Sequence, residues 1–230
     1  METLQEIRVA LTRLPIDDRL AIGAWLQEYD GPGTRAYGVR EPGSTYAAPE
    51  PLIMTLDEYF AFEEQSELRH EFVNGAVFAM SGASPRHERV RTRLATNFIQ
   101  HLKGGPCEVF SLDVNLLIKS ASDEICYRPD IMVDCHREDW NEPHLRNPKL
   151  IVEILSPSTH QIDRREKFDH YRLVDSVEEY ALVAQEEHKL IIHRRADGWR
   201  PQLHKGPDTF IEFRSLDLTL PLSVIYEDIL

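Results

Sequence analysis

The chain has 230 residues, a net charge of −13 and an apolar share of 42%. That length allows one good-sized core with an appendage, and the acidity argues against a protein that coats nucleic acid non-specifically. No apolar run reaches the roughly 18 residues of a membrane span, and the acid-bearing start METLQEIRVALTRLP is unlike a signal peptide. The three cysteines, Cys107, Cys126 and Cys135, are an odd number without paired spacing, and they read as reduced thiols of a cytoplasmic protein.

Residues 1–30 read as a small helical pair. Leu4, Ile7, Leu11 and Leu14 recur at helical spacing, and Pro15 ends the first helix and opens the second. Such a pair is too small to stand alone and must pack on the main domain or on a second chain. Residues 31–51 carry four glycines and four prolines and read as a linker. The main domain is expected over 52–230. It opens on TLDEYFAFEEQ, a helix with Thr55 as N-cap and Glu58 three residues on, a capping box. EFVNGAVFAM follows, with two apolar runs flanking Asn74-Gly75, the strongest short signal for a hairpin. Residues 86–103 predict a helix with Val90, Leu94, Phe98 and Ile99 on one side. CEVFSLDVNLLIK and EICYRPDIMVDC read as a strand pair, KLIVEIL as a buried strand and IDRREKFDHYRLV as a helix. EEYALVAQ, KLIIHRR and WRPQLHK read as further strands. This order implies an α+β (α/β) domain in which a central mixed sheet is flanked by helices.

Glu153 lies inside the apolar run of KLIVEIL and shares a strand face with Ile151 and Leu155. A buried carboxylate must be paired, hydrogen-bonded or bound to a metal. A second acid, Asp130, leads the apolar run behind Pro129. Two such acids at one end of a sheet suit Mg²⁺ or Mn²⁺, which take a couple of carboxylates and leave room for water and phosphate. In the following helix Asp163, Lys167, His170 and Tyr171 share a face. Lys167 can then point back at the acids and orient or help deprotonate an attacking water. The plainer reading makes Asp130 and Glu153 strand-end acids paired with Arg128 or Arg164, Lys167 a solvated helix residue, and Tyr171 a core residue with its hydroxyl near the site. Ser156 and Ser158 read as caps, with no nucleophile elbow around them. No ligand spacing links His136, His144, His160, His188 and His193.

Taken in order, RHEFVNGAVFAMSGASPRHERV, YRPDIMVD, LIVEILSPST and DRREKFDHYR resemble the Uma-type endonuclease family of the PD-(D/E)XK nuclease superfamily. The resemblance covers about residues 52–230. It implies a restriction-endonuclease-like core with a four-stranded mixed sheet, a DNA substrate, a Mg²⁺ or Mn²⁺ cofactor and, as in many nucleases of this fold, a homodimer. It implies that Asp130 and Glu153 are metal ligands. The superfamily's lysine belongs two residues after the Glu, where this chain has Leu155; the family is thought to use a lysine displaced to the next helix, here Lys167. Glu71 and His87 also match family positions and complete the implied catalytic set of Asp130, Glu153, Lys167, Glu71, His87 and Tyr171.

The helix that carries His87 also carries Arg86, Arg89, Arg91, Arg93 and Lys103 against Glu88 alone. In an acidic chain that concentration reads either as a solvated face or as a nucleic-acid-binding surface built on Arg86, Arg89, Arg91 and Arg93. The missing lysine at Leu155 keeps a rival class open: an inactive nucleic-acid- or protein-binding regulator on the same fold.

Overall fold

The computed structural model describes residues 52–80, 82–111, 114–155 and 166–230. The expected helical pair at 1–30, the linker at 31–51 and the positions of Ser156, Ser158, His160, Asp163 and Arg164 lie outside the described residues. Residues 51–230 pack as one unit. Its helices are α1 (Leu56–Gln65), α2 (Pro85–Leu102), α3 (Phe168–Tyr171) and α4 (Leu222–Ile225).

One six-stranded sheet runs in the order β1 (Leu52–Ile53), β3 (Ala76–Ala79), β2 (His70–Val73), β6 (Glu124–Tyr127), β5 (Asn115–Lys119), β8 (His144–Leu145). A second runs β12 (Pro201–Lys205), β11 (Lys189–Arg194), β10 (Glu179–Ala184), β9 (Pro148–Leu155), β7 (Ile131–Asp134), β4 (Glu108–Ser111). The short hairpin β13 (Phe210–Phe213) and β14 (Leu218–Pro221) stands beside them. Both large sheets are mixed: β9 runs parallel to β10 and β5 parallel to β8, while the other pairs are antiparallel. The α+β class and the mixed sheet are as expected, but the strands divide between two sheets where a single four-stranded one was implied.

The local signals act as their chemistry dictates. Thr55 and Glu58 close a capping box at the start of α1. Asn74 and Gly75 both take positive φ, 49° and 94°, in the two-residue turn between β2 and β3, as a turn matched to the twist of the flanking strands requires. Ser84 caps α2 and Pro85 stands at its first turn, where a missing N–H costs nothing.

Alternation along the strands builds the layers. Val152 and Ile154 of β9 face α2 and pack on Val90, Leu94 and Phe98; the β13–β14 hairpin and α4 close the same core. Ile151 and Leu155 face the other way, toward Leu116, Ile118, Ile125 and Tyr127 of the first sheet and Tyr171 of α3. The far side of the first sheet, with Phe72, Leu117 and Cys126, is covered by Leu56 and Tyr59 of α1. The strand layers therefore lie face to face between two helices, and a polar side chain on either inner face is buried.

Two expectations need correction. CEVFSLDVNLLIK and EICYRPDIMVDC are not one long strand pair. Each is cut in two, β4 with β7 in one sheet and β5 with β6 in the other. The cut in the second segment falls at Arg128-Pro129-Asp130, where proline has no N–H to offer a ladder. The three cysteines are not all reduced thiols either: Cys107 and Cys135 form a disulfide, and Cys126 is a buried free thiol. Sequence spacing concealed the pairing because it comes from strand register. Glu108 faces Asp134 across β4 and β7, so the next position outward sets Cys107 opposite Cys135.

Candidate functional site

Glu153 lies on the inner face of β9 and is 4% exposed. One of its oxygens, Oε1, receives the Tyr171 hydroxyl at 2.7 Å and the Lys167 ammonium at 3.2 Å. Lys167 precedes α3 and is itself buried; it also reaches Glu71 Oε1 at 2.9 Å. Glu71 comes from β2 in the other sheet. Alternation turns its neighbours His70 and Phe72 toward α1, and so turns Glu71 inward to meet Glu153. Lys167 thus bridges carboxylates from two sheets. Its ammonium also sits 5.2 Å from the centre of the Tyr127 ring, a cation–π contact, and that ring is held by a 2.7 Å hydrogen bond between the Tyr127 hydroxyl and His170 Nδ1. Burial, then the negative charge of Glu153, pushes the Tyr171 hydroxyl well above its ordinary pKa, so it remains a donor to Glu153.

Asp130 occupies the crossover between the sheets. Ile131 faces Val152 in the antiparallel β7–β9 pair, so one step further puts Asp130 opposite Glu153. The Ile154 N–H donates to Asp130 Oδ2 at 2.6 Å, and His87 Nε2 lies 3.2 Å from the same oxygen. His87 is on the first turn of α2. Burial lowers its pKa, but the hydrogen bond and charge of Asp130, helped by Glu88, outweigh burial and leave it raised. Among the described residues Arg128 reaches Glu63 of α1 at 3.2 Å, and Arg164, the other cation of the plainer pairing, lies outside them. Glu63 also takes His70 Nδ1 at 3.0 Å and the His70 backbone N–H at 3.2 Å. One buried carboxylate therefore holds the neighbour of Glu71 and the residue two before Asp130.

All six sequence-derived catalytic candidates lie at this junction. Glu71, Glu153, Lys167 and Tyr171 form one hydrogen-bonded group, and Asp130 with His87 forms a second beside Glu153. Sequence reasoning missed Tyr127, Glu63 and the pair Ser84–Gln185, in which Ser84 Oγ donates to Gln185 Oε1 at 2.9 Å and fixes the start of α2. Tyr127 stands inside the quoted YRPD run, so a signal was present; Glu63 and Gln185 carry none.

The arginines of α2 part company. Arg91 is buried and paired with Glu88. Arg89 donates to the Asp228 carbonyl, and Arg93 lies 3.5 Å from both Glu227 and Asp228. Among the described residues Arg86 and Arg89 are exposed without an ion pair, and of these two Arg89 is tied to the Asp228 carbonyl. An open groove of about 460 Å³ along this face is lined by Arg89, Thr92, Arg93 and Glu227.

A metal ion's fit rests on the acids. Asp130 Oδ2 is engaged by Ile154 and His87, whereas Oδ1 has no partner among the described residues, and the side chain is 20% exposed. Asp130 and Glu153 would offer a divalent cation two hard oxygen donors, the kind such ions take. Among the described residues no group of three or more His, Cys, Asp or Glu is arranged to cage a metal.

Residues 56–224 match the family model Uma2, described as "Putative restriction endonuclease". The chain belongs to this family. Two uncharacterised proteins of Synechocystis sp. are relatives of this Uma2 chain. One is 33% identical over 183 residues, 78% of this chain and 94% of its own length; the other is 33% identical over 136 residues, 58% and 76%. A crystal structure described as "a putative nuclease belonging to DUF820" from Anabaena variabilis ATCC 29413 superposes with a TM-score of 0.64, covering 77% of this chain and 99% of its own, at 18% identity. That likeness extends to the fold, which is restriction-endonuclease-like.

Proposed function

We propose that this Uma2-family chain is a divalent-metal-dependent endonuclease that hydrolyses phosphodiester bonds in DNA. The observation that carries the reading is the bridge from Lys167 to Glu71 and Glu153. With leucine at position 155, the lysine expected beside the motif glutamate is supplied from the segment before α3 and reaches the same carboxylate. In this reading Asp130 and Glu153 hold Mg²⁺ or Mn²⁺. When bound, the metal would lower the pKa of a coordinated water and offset charge on the phosphodiester. Ile154 and His87 fix the Asp130 carboxylate, and Tyr171 fixes that of Glu153. Lys167, anchored between Glu71 and Glu153, orients the attacking water and stabilises negative charge on the phosphoryl oxygens. Attack in line with the leaving oxygen forms one P–O bond and breaks another, and the departing oxygen takes a proton. Arg86 provides a free cation for a flanking phosphate; Arg89, Arg91 and Arg93 join it only where phosphate displaces Glu88, Glu227 and Asp228. We take the working form to be a cytoplasmic homodimer, to be checked by light scattering.

Wild-type protein with Mn²⁺ or Mg²⁺ should nick plasmid DNA, and Asp130→Ala, Glu153→Ala and Lys167→Ala should lose that activity while keeping the wild-type circular-dichroism spectrum. Cleavage retained by Glu153→Ala would overturn the assignment. The second reading, a nucleic-acid- or protein-binding regulator without turnover, is favoured by the engagement of Glu153 Oε1 with both Lys167 and Tyr171. It predicts metal-independent binding, lost when Arg86, Arg89 and Arg93, the arginines of this helix that are not buried, are reversed to acids, and no nicking.

A further inference from the structure

We propose that Cys107 and Cys135 are a reversible thiol–disulfide site that exchanges with low-molecular-weight thiols and clamps the edge strand β4 to β7. The two sulfurs join segments 28 residues apart, closing a loop that contains β4, β5, β6 and β7. Among the described residues β4 is the last strand of its sheet, paired only to β7. At one end of that pair lies the disulfide; at the other Ser111 faces Ile131, the residue after Asp130. Both cysteines are partly exposed, within reach of a small thiol, whereas Cys126 is buried. Arg137, two residues after Cys135, donates to the Gly105 carbonyl, two residues before Cys107, at 3.2 Å, a second tie between the two segments. Glu108 and Asp134, the neighbours of the two cysteines, face each other across the same register, so acidic as well as basic residues flank the pair. Exchange runs through the thiolate, and partial exposure gives a small thiol access to the bond. Cys126 has the opposite setting: burial pushes its thiol up to about 12, and it takes no part.

The chemistry balances with one named co-reactant class. One thiolate attacks a small disulfide, forming a mixed disulfide and releasing one thiol. The second thiolate then attacks that protein sulfur, closing Cys107–Cys135 and releasing the second thiol. The protein loses two electrons and two protons, and the small disulfide gains them. A thiol-rich cytoplasm keeps the pair open and an oxidising shift closes it. The consequence is local. An edge strand held by one ladder is a low-stability element, and opening the pair removes a covalent constraint from it.

The test needs no substrate and no metal, so its outcome is independent of the nuclease reading. The full chain is equilibrated in oxidised and reduced glutathione buffers, quenched in acid, alkylated and mapped by mass spectrometry. Hydrogen exchange is followed in parallel. The pair should lose two alkylations in the oxidised buffer and regain them in the reduced one. Amides of Glu108–Ser111 should exchange about tenfold or more faster in the reduced form, with β9 and β10 unchanged. The Cys107→Ser/Cys135→Ser variant should match the reduced form in both buffers. Three free thiols in the oxidised buffer, a bond that survives the reduced one, or equal β4 exchange in both forms would each overturn the proposal.

Discussion

Replacing Lys167 by Met keeps most of the side-chain volume and removes the cation shared by Glu71 and Glu153. The two contacts, at 2.9 and 3.2 Å, are shielded: Lys167, Glu71 and Glu153 side chains are 9%, 16% and 5% exposed. A unit-charge contact at 4 Å is worth about 4 kcal/mol gross in an effective dielectric near 20. Much of that is offset by the cost of desolvating the charges, and removing one partner of a buried pair typically costs about 3–5 kcal/mol. Glu71 is the more exposed acid and regains some water, which places the expected loss near 3 kcal/mol. For a chain of this size that corresponds to a fall in Tm of about 6–12 °C. Urea denaturation at pH 7.5 would measure it. Mn²⁺ sharpens the test, because a cation held by Asp130 and Glu153 offsets the charge that the missing ammonium leaves on Glu153. At 100 times its Kd a ligand bound only to the folded state adds about 2.7 kcal/mol, nearly the whole deficit. A loss under about 1 kcal/mol would refute the buried bridge, and a full loss with no recovery in Mn²⁺ would refute Asp130 and Glu153 as a cation site.

Other expectations follow from the same reasoning. Glu179, fully buried, binds Arg194 Nε at 2.7 Å and receives the Ser215 N–H at 2.9 Å and the Arg214 N–H at 3.1 Å; Glu179→Ala should cost about 3–5 kcal/mol in urea titration while leaving Mn²⁺ affinity unchanged. Gly75 sits at φ 94°, and Gly75→Ala should cost about 1–2 kcal/mol, read as a lower midpoint with an unchanged slope. Burial, against the pull of Glu166 and Asp123, leaves the His170 pKa below its ordinary 6.5. The unfolded chain therefore takes up that proton first, so this contribution to stability is complete above pH 6.5 and is lost as pH falls through 6.5 toward the lower folded value. NMR titration should place His170 below 6.5, and a midpoint above it would contradict the buried setting.

Short-range chemistry was legible from residues alone. The Thr55–Glu58 box, the Asn74-Gly75 turn and the apolar stripe of α2 each specify a local backbone, and each element forms where its residues place it. Glu153 was legible as an anomaly because a carboxylate in a buried strand demands a partner. The surface suggested by the arginines of α2 was not, because sequence counts charges without their neighbours. Arg91 turns inward to Glu88, Arg93 meets the carboxylates of Glu227 and Asp228 more than a hundred residues away, and Arg89 meets the Asp228 carbonyl.

What the sequence by itself determined is the capping box, the hairpin turn, the helix stripe and the family membership, with Asp130, Glu153 and Lys167 as residues to watch. Tertiary structure alone decided which of them meet. Pro129 breaks one apparent strand so that β6 and β7 enter different sheets, and that switch faces Glu71 of one sheet toward Glu153 of the other, with Lys167 between. The same strand register sets Cys107 opposite Cys135 and leaves Cys126 behind in a core. The physical reason is range. Caps, turns and periodicity act over a few residues, and the chain records them in order, whereas sheet register and ion pairing join residues tens of positions apart and exist only once the layers have packed.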